Sequence, residues 1–392
     1  MLKLIKLHWI KFINCVNEES SGGKVVDKKV ILFTALDHGG ILQLANQMGL
    51  TLKSMKIPFA LFVPVGAKSK CVENIAEEIF EYHLPKFALP GKRGTKRLAV
   101  QIVEMNPSCL IAVDDAIKAS AIVSALSDKI SCAIVIHDVN PHPQKKTAYK
   151  ELSERIRKQL ARRAYKKAQS IILLSKNSYQ LFSQQYKKLT NKATIFPLGA
   201  HVMPAISMMP SELKSYGNID GFALFFGRID EYKGVDRLVK AQERNCKDSM
   251  YNLPVVIAGK NLSDEKYKTS DESKTICLLR FISDGEMIWL FEHCGVVVLP
   301  YYEASQSGVL PIAYKYGKPV IVSNINGLRE LVVENKTGSV FDDIQQLSNL
   351  LKGYSVNKSS SPNLKICDFY KKTYDWERNM KNLLEKVAKE DE

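Results

Sequence analysis

Short apolar runs rich in β-branched residues alternate along most of the chain with longer stretches of helical periodicity. In the first half such runs predict strands at Val30–Thr34, Phe59–Val63, Leu110–Val113, Ala133–Ile136, Ile171–Leu174 and Thr194–Phe196. In the second half they predict strands at Phe222–Phe226, Val255–Ala258, Ile276–Leu279, Val296–Leu299, Val320–Val322 and Ser339–Phe341. Strands that are apolar throughout are covered on both faces, so repeated βα units predict parallel sheets sandwiched by helices. Between the two series, His201–Gly221 carries Pro204, Met208, Met209, Pro210 and Gly217 with little periodicity and reads as a connection. Near the end, Trp376, Met380, Leu383, Leu384 and Val387 share one helical face, after a loop-like stretch over Lys352–Asn363.

The expected fold class is α/β, with two Rossmann-like, doubly wound parallel-sheet domains. A length of 392 residues suits two or three domains. The first domain is expected over 28–205 after an extension over 1–27, and the second over 221–368 after a linker over 206–220. Ligands of such sheets bind beyond the carboxyl ends of the strands, so two facing domains define a cleft.

Composition narrows the class. With 45% hydrophobic and 25% charged residues the chain is neither disordered nor collagen-like. Its eight cysteines form no CxxC pair, which suggests neither a zinc site nor a disulfide framework and points to a reducing cytoplasm. Charge is one-sided: residues 1–205 hold 31 Lys and Arg against 15 Asp and Glu, whereas residues 206–392 hold 25 against 26. That asymmetry is the footprint of an anionic partner: membrane, nucleic acid or phosphorylated substrate. Residues 1–17 place Leu2, Ile5, Trp9, Phe12, Ile13 and Val16 opposite Lys3, Lys6 and Lys11, a basic amphipathic helix without the uninterrupted apolar core of a signal peptide. Such a helix fits two receivers, an anionic bilayer interface or its own domain. Nowhere are there the ~20 consecutive apolar residues of a spanning helix.

Candidate chemistry sits at strand ends. The first strand runs into Asp37-His38-Gly39-Gly40, a turn that lets backbone approach a ligand ahead of a helix, although paired glycines are more often only a tight turn. Another ends in His137-Asp138 before a Pro-rich loop, and Asp114-Asp115 also end a strand. A metal at His137, Asp138 and His142 lacks a second cluster to complete it, and none is expected. The second half opens with Gly227-Arg228…Lys233-Gly234, where a rigid guanidinium and a mobile ammonium suit a diphosphate; a solvated pair around a turn is the ordinary alternative. Then Pro300-Tyr301-Tyr302-Glu303-Ala304-Ser305-Gln306-Ser307-Gly308-Val309 precedes Pro311, which is tolerated in a first helical turn and so predicts a helix start at 307–309. Free N–H groups there favour an anion, while Glu303 suits neutral hydroxyls better than phosphate.

In this order and spacing, Gly39-Gly40, His137-Asp138, Gly227-Arg228…Lys233-Gly234 and Glu303…Gly308, followed by Gly317-Lys318-Pro319-Val320 and Gly327-Leu328-Arg329-Glu330, resemble the retaining glycosyltransferases of family 4, glycosyl transferases group 1. The resemblance spans about residues 28–388. It implies the GT-B fold and transfer of a hexose-type sugar, with retention, from a nucleotide-sugar donor to a polysaccharide or lipid-linked saccharide acceptor. Bacterial surface polysaccharide synthesis (O-antigen, capsule or exopolysaccharide) is the implied setting. Catalytic roles fall to His137, Arg228, Lys233 and Glu303, with donor contacts from Gly39, Gly40, Ile282, Ser305, Gln306, Ser307, Gly308 and Val309, and with no cofactor or metal. Arg280-Phe281-Ile282 would border the base. The last segment, 369–392, would cross back to complete the first domain. One position departs: the family's second glutamate, which binds ribose hydroxyls, is Pro311 here.

The basic stretch Gln144–Ala168 is ordinarily a solvated helix face; in this family it implies peripheral contact with the anionic inner face of the cytoplasmic membrane. The rival readings are a non-enzymatic nucleic-acid- or membrane-binding protein, or another GT-B enzyme such as a phosphorylase or epimerase. No recognised nucleic-acid module and no stacking aromatics in the basic run support the first, and nucleic acid is not an expected partner.

Overall fold

A computed structural model of the chain describes residues 28–85, 88–139, 148–201, 205–217, 219–304, 306–356 and 359–389. The expected amphipathic helix at 1–17, His142 and Ser305 lie outside the described residues. Two compact units emerge, divided at Phe196/Pro197 and again at Asp375/Trp376.

The first unit is a parallel sheet of β1 (Lys29–Phe33), β2 (Phe59–Pro64), β3 (Ile79–Tyr82), β4 (Pro107–Ala112), β5 (Ser131–Ile136), β6 (Ser170–Leu173) and β7 (Ala193–Ile195), in the order β3-β2-β1-β4-β5-β6-β7. Its strands are buried along nearly their whole length, as the apolar runs require. Phe33, Phe62 and Tyr82 pack into one core with Ile122 and Phe182, each contributing roughly 1.5–3 kcal/mol by burial. The edge strand β3 was not expected, because Glu81 interrupts a run of only four residues whose two middle positions are not buried. The helix Trp376–Lys389 docks on this unit: Ser54 Oγ donates to Glu377 Oε1 at 2.8 Å, Ser131 Oγ donates to the Val387 carbonyl at 2.8 Å, and Trp376 packs on Phe196.

The second unit is a parallel sheet of β8 (Phe222–Phe226), β9 (Val255–Ala258), β10 (Thr275–Leu278), β11 (Cys294–Leu299), β12 (Val320–Ser323) and β13 (Gly338–Phe341), in the order β10-β9-β8-β11-β12-β13. Both boundaries differ from expectation. The first domain ends at Phe196 rather than 205, because the segment expected as a linker joins the second unit: the Ala200 N–H donates to the Tyr370 hydroxyl, Leu213 enters the core, and Glu212 pairs with Arg280. The return to the first unit begins at Trp376 rather than 369, because the helix Leu364–Tyr374 buries Ile366 and Tyr374 in the second core. The expected loop at Lys352 starts later, since the helix from Ile344 continues to Val356. Among the described residues no helix is long and apolar enough to cross a membrane.

In each sheet the strand order reverses next to its first strand, between β1 and β4 and between β8 and β11. Such switch points open a crevice at the carboxyl edge, which is where a ligand fits.

Candidate functional site

In the second unit the crevice is built by backbone necessity. The strand β8 runs out into Gly227, with φ 117, whose N–H donates to the Ala258 carbonyl. Beside it lies Gly259, with φ 149, where a Cβ would overlap the Gly227 carbonyl oxygen. The chain then turns through Glu231–Lys233 to Gly234, left-handed at φ 60, which starts the helix Val235–Asn245; a Cβ here would overlap the Pro300 carbonyl oxygen. The Tyr302 N–H donates to the Tyr232 carbonyl at 2.8 Å, lacing the turn after β8 to the segment after β11.

This lacing brings three expected site segments together. A Cβ on Gly227 would stand 3.7 Å from Lys233 Nζ and 3.8 Å from Val309 Cγ2, so the glycine turn, the lysine and the helix start share one corner. Lys233 Nζ donates to the Tyr301 hydroxyl at 3.0 Å and sits 4.4 Å from that ring's centroid and 5.8 Å from that of Tyr232. Burial opposes its charge, but the facing Tyr301 and Tyr232 outweigh it, and the ammonium's pKa lies above its ordinary value. Arg228 reaches outward, its side chain 68% exposed and Nε 3.9 Å from Asp230 Oδ2, leaving its other donors turned to solvent.

The helix start falls where Pro311 placed it, at Val309–Lys315 with Gly308 as cap. The Val309 N–H is taken by Ser307 Oγ at 3.3 Å, whereas the space beside Gly308 is open. Gln306 Oε1 is buried and accepts no hydrogen bond among the described residues, a polar atom in want of a donor. Glu303 is exposed on the segment after β11. Ile282 does not present its side chain: it is 8% exposed and belongs to the core. Arg280, expected to border a base, is committed to carboxylates, with Nε and Nη2 on Glu212 at 2.7 and 2.8 Å and both Nη atoms on Glu286 at 2.7 and 2.9 Å. These partners raise its pKa, and in return its hydrogen bonds hold Glu212 down to about 2.

Two residues of this unit carry structure where motif reading alone does not say so. Tyr301, 1% exposed, supplies the hydroxyl that holds Lys233. Lys318 is also 1% exposed and donates to the carbonyls of Glu292 and Ser360, while burial pulls its pKa down. It is a strut for the sheet rather than a ligand group. A cation between Gly317, with φ 65, and Pro319 was the only signal.

At the carboxyl edge of the first unit, Asp114 is 2% exposed and ties two strand ends together. Its Oδ2 accepts from the Ala35 N–H at 2.7 Å and from Thr34 Oγ1 at 3.2 Å, and its Oδ1 accepts from the Ala116 N–H at 3.0 Å. Burial nonetheless raises its pKa. His137, half-buried at the end of β5, donates from Nε2 to the Val113 carbonyl at 2.9 Å. Gly39 and Gly40 form the first turn of the helix Gly39–Ser54, and a Cβ on either would meet nothing within 4 Å. Among the described residues no group of three or more His, Cys, Asp or Glu is arranged to hold a metal ion.

Residues 217–360 match the family model of glycosyl transferases group 1. The chain is 25% identical over 200 residues to O-antigen chain mannosyltransferase C of Escherichia coli, covering 48% of this chain and 52% of the relative. It is 28% identical over 127 residues to D-inositol 3-phosphate glycosyltransferase of Corynebacterium glutamicum, covering 30% of each. These matches span about half or less of the relatives' own length. The fold matches HepE of Anabaena, solved in complex with UDP, at a TM-score of 0.66 and 16% identity, covering 92% of this chain and 99% of that one. HepE has also been solved with UDP-glucose. The second unit therefore carries the glycosyl transferases group 1 segment, and the chain has the GT-B fold of two Rossmann-like α/β domains.

Proposed function

We propose that the protein is a retaining hexosyltransferase of family 4 that takes its sugar from a nucleotide-sugar donor. The observation that carries the reading is the corner where Gly227, Lys233 and Val309 meet at the switch point of the second sheet, beside the open face of Gly308. A diphosphate suits it: Lys233 supplies a fixed ammonium, Arg228 an uncrowded guanidinium, and Gly308 room for close backbone approach. Gln306 offers its unpaired oxygen to a donor hydroxyl, and Glu303 accepts from the hexose. To His137 the reading gives contact with the transferred sugar. HepE, crystallised with UDP and UDP-glucose, supports a uridine nucleotide as the first donor to try. Pro311 removes the carboxylate that would hold ribose hydroxyls, so ribose is held by other groups.

No side chain is required as a nucleophile. The departing diphosphate accepts the acceptor's proton while leaving and attack occur on one face of the sugar, and the protein's part is charge stabilisation by preorganised donors. The acceptor is a saccharide or lipid-linked saccharide of bacterial surface polysaccharide synthesis, a reading supported by the O-antigen mannosyltransferase relative. The cation-rich helix Ala148–Lys167 supports peripheral attachment to an anionic cytoplasmic membrane surface.

Calorimetry against UDP-, GDP-, ADP- and CMP-sugars tests the donor, followed by turnover and the anomeric configuration of the product. One donor is expected to bind, with retention. Arg228→Ala and Lys233→Ala are each expected to lower kcat by ~10²-fold, the effect of losing one transition-state donor. Unchanged turnover in both variants would refute the assignment.

A further inference from the structure

The first unit contains a cavity of about 100 Å³ that the reading above does not use. It lies at the carboxyl end of β5, and Ile136 and Asp138, the neighbours of His137, form part of its wall. The opposite wall is the helix Ala148–Lys167. There Arg157, Ala161 and Tyr165 follow one another at intervals of one turn, with Lys158 and Arg162 on the adjoining row. The small Ala161 between two long side chains makes the depression, and Phe182 of the helix Lys176–Gln185 and Tyr186 just after it, stacked at 4.8 Å, close it.

Its charge is organised. Arg157, 23% exposed, is held from two sides, with Nη1 3.3 Å from Asp115 Oδ2 and Nη2 3.0 Å from Glu154 Oε1. Asp115 also accepts from the Tyr165 hydroxyl at 2.5 Å, so this carboxylate is already occupied and serves to orient the guanidinium. Lys158 Nζ stands 3.9 Å from Glu154. Arg162, by contrast, has no hydrogen bond or ion pair among the described residues. Arg155 and Arg163 on the same helix add positive field, against the acids Glu151 and Glu154. A convex cationic face is an ordinary solvated surface. A concave one, with one guanidinium clamped, another unpaired, aromatic rings behind them and the wall's two carboxylates, Asp115 and Asp138, each already engaged, is a receptor for a single compact anion.

We infer that this cavity binds a phosphate group carried by the acceptor, next to His137. The inference rests on the transferase reading for the word acceptor; the phosphate site itself does not. The phosphate has two possible carriers, a soluble sugar phosphate or a prenyl lipid.

The test uses the full chain carrying Arg228→Ala and Lys233→Ala, which removes the cations of the proposed donor site. It is titrated at low salt with glucose 1-phosphate and with geranyl phosphate, and the titrations are repeated after adding Arg162→Gln or, as a control outside the cavity on the same helix, Lys166→Gln. Binding of at least one probe is expected, weakened about tenfold or more by Arg162→Gln and left unchanged by Lys166→Gln. The probe that binds identifies the carrier. Failure of both probes to bind, or equal loss in the two added variants, overturns the site. UDP binding to the otherwise unaltered chain with Arg162→Gln is measured separately and should match that of the unaltered chain. If UDP binds neither while a phosphate probe still depends on Arg162, the donor reading falls and the phosphate site stands.

Discussion

The carboxyl edges of the two sheets share one topology and differ in how much room their glycines have. In the second unit, Gly227, Gly234 and Gly259 all have positive φ, and at Gly234 and Gly259 a side chain would enter the backbone of a neighbouring segment. In the first unit, Gly39 and Gly40 face open space. The second edge is therefore a closed backbone lattice that needs glycine to exist. The first is an open turn whose glycines are not needed for packing; Gly39, at φ 68, holds a left-handed backbone that favours glycine, whereas Gly40 does not. Evolutionary freedom at the two edges should differ accordingly, and so should the response to one added methyl group.

The sharpest break of that contrast is a pair of alanine substitutions. Gly259→Ala places a Cβ against the Gly227 carbonyl at φ 149, a clash with backbone that no side-chain movement relieves. It is expected to cost about 3 kcal/mol or more. Gly40→Ala lies in a helix's first turn without positive φ and should change stability by no more than about 0.5–1 kcal/mol, in the stabilising direction if at all. Denaturant unfolding followed at Trp289 in the second unit and Trp376 in the first resolves the two effects. Equal losses would mean that the open turn is under strain after all.

The same contrast explains what could be read in advance. Strands such as Phe222–Phe226 and Val255–Ala258 were legible to the residue, because a parallel strand buried on both faces leaves an apolar run between turn residues. The helix start at Val309 was legible because Pro311 admits few alternatives. The short edge strand β3 was not, since an edge need not be apolar throughout. Nor were the unit boundaries, which depend on which core receives Leu213 and Ile366 rather than on any local signal. Among site residues, the convergence of Lys233 on Gly227 and Val309 followed from strand-end placement. Ile282 illustrates the limit: its place after Arg280, between a strand and a helix, is visible in the sequence, but the direction of its side chain, into the core, is a tertiary fact.

A smaller effect separates the edges by charge. Asp114 closes the first edge with a buried carboxyl that accepts two backbone N–H groups and one hydroxyl. Asp114→Asn turns an amide N–H₂ toward one of those donors, leaving it unsatisfied, and is expected to destabilise the first unit by about 1–3 kcal/mol. Under the donor reading, UDP affinity should not move, because the diphosphate contacts belong to the other unit. A fall in UDP affinity that parallels the stability loss would show that the first edge shapes the donor site.

The smallest expected effect is a pH dependence confined to the second unit. Glu212 is lowered from its ordinary value near 4.5 to about 2, chiefly by its hydrogen bonds to Arg280. A carboxyl with a depressed native pKa binds protons more readily when unfolded, so its contribution to stability is present above about pH 4.5 and is lost as the pH falls toward 2. Because its side chain is 40% exposed, solvent screening limits that contribution to about 0.2–1 kcal/mol. Glu212→Gln should therefore flatten the acid limb of the second unit's unfolding curve, read at Trp289, while leaving the limb read at Trp376 unaltered. A change at Trp376 as large as that at Trp289 would show that the two units do not unfold separately, and the comparison between their edges would then have to be made by binding rather than by stability.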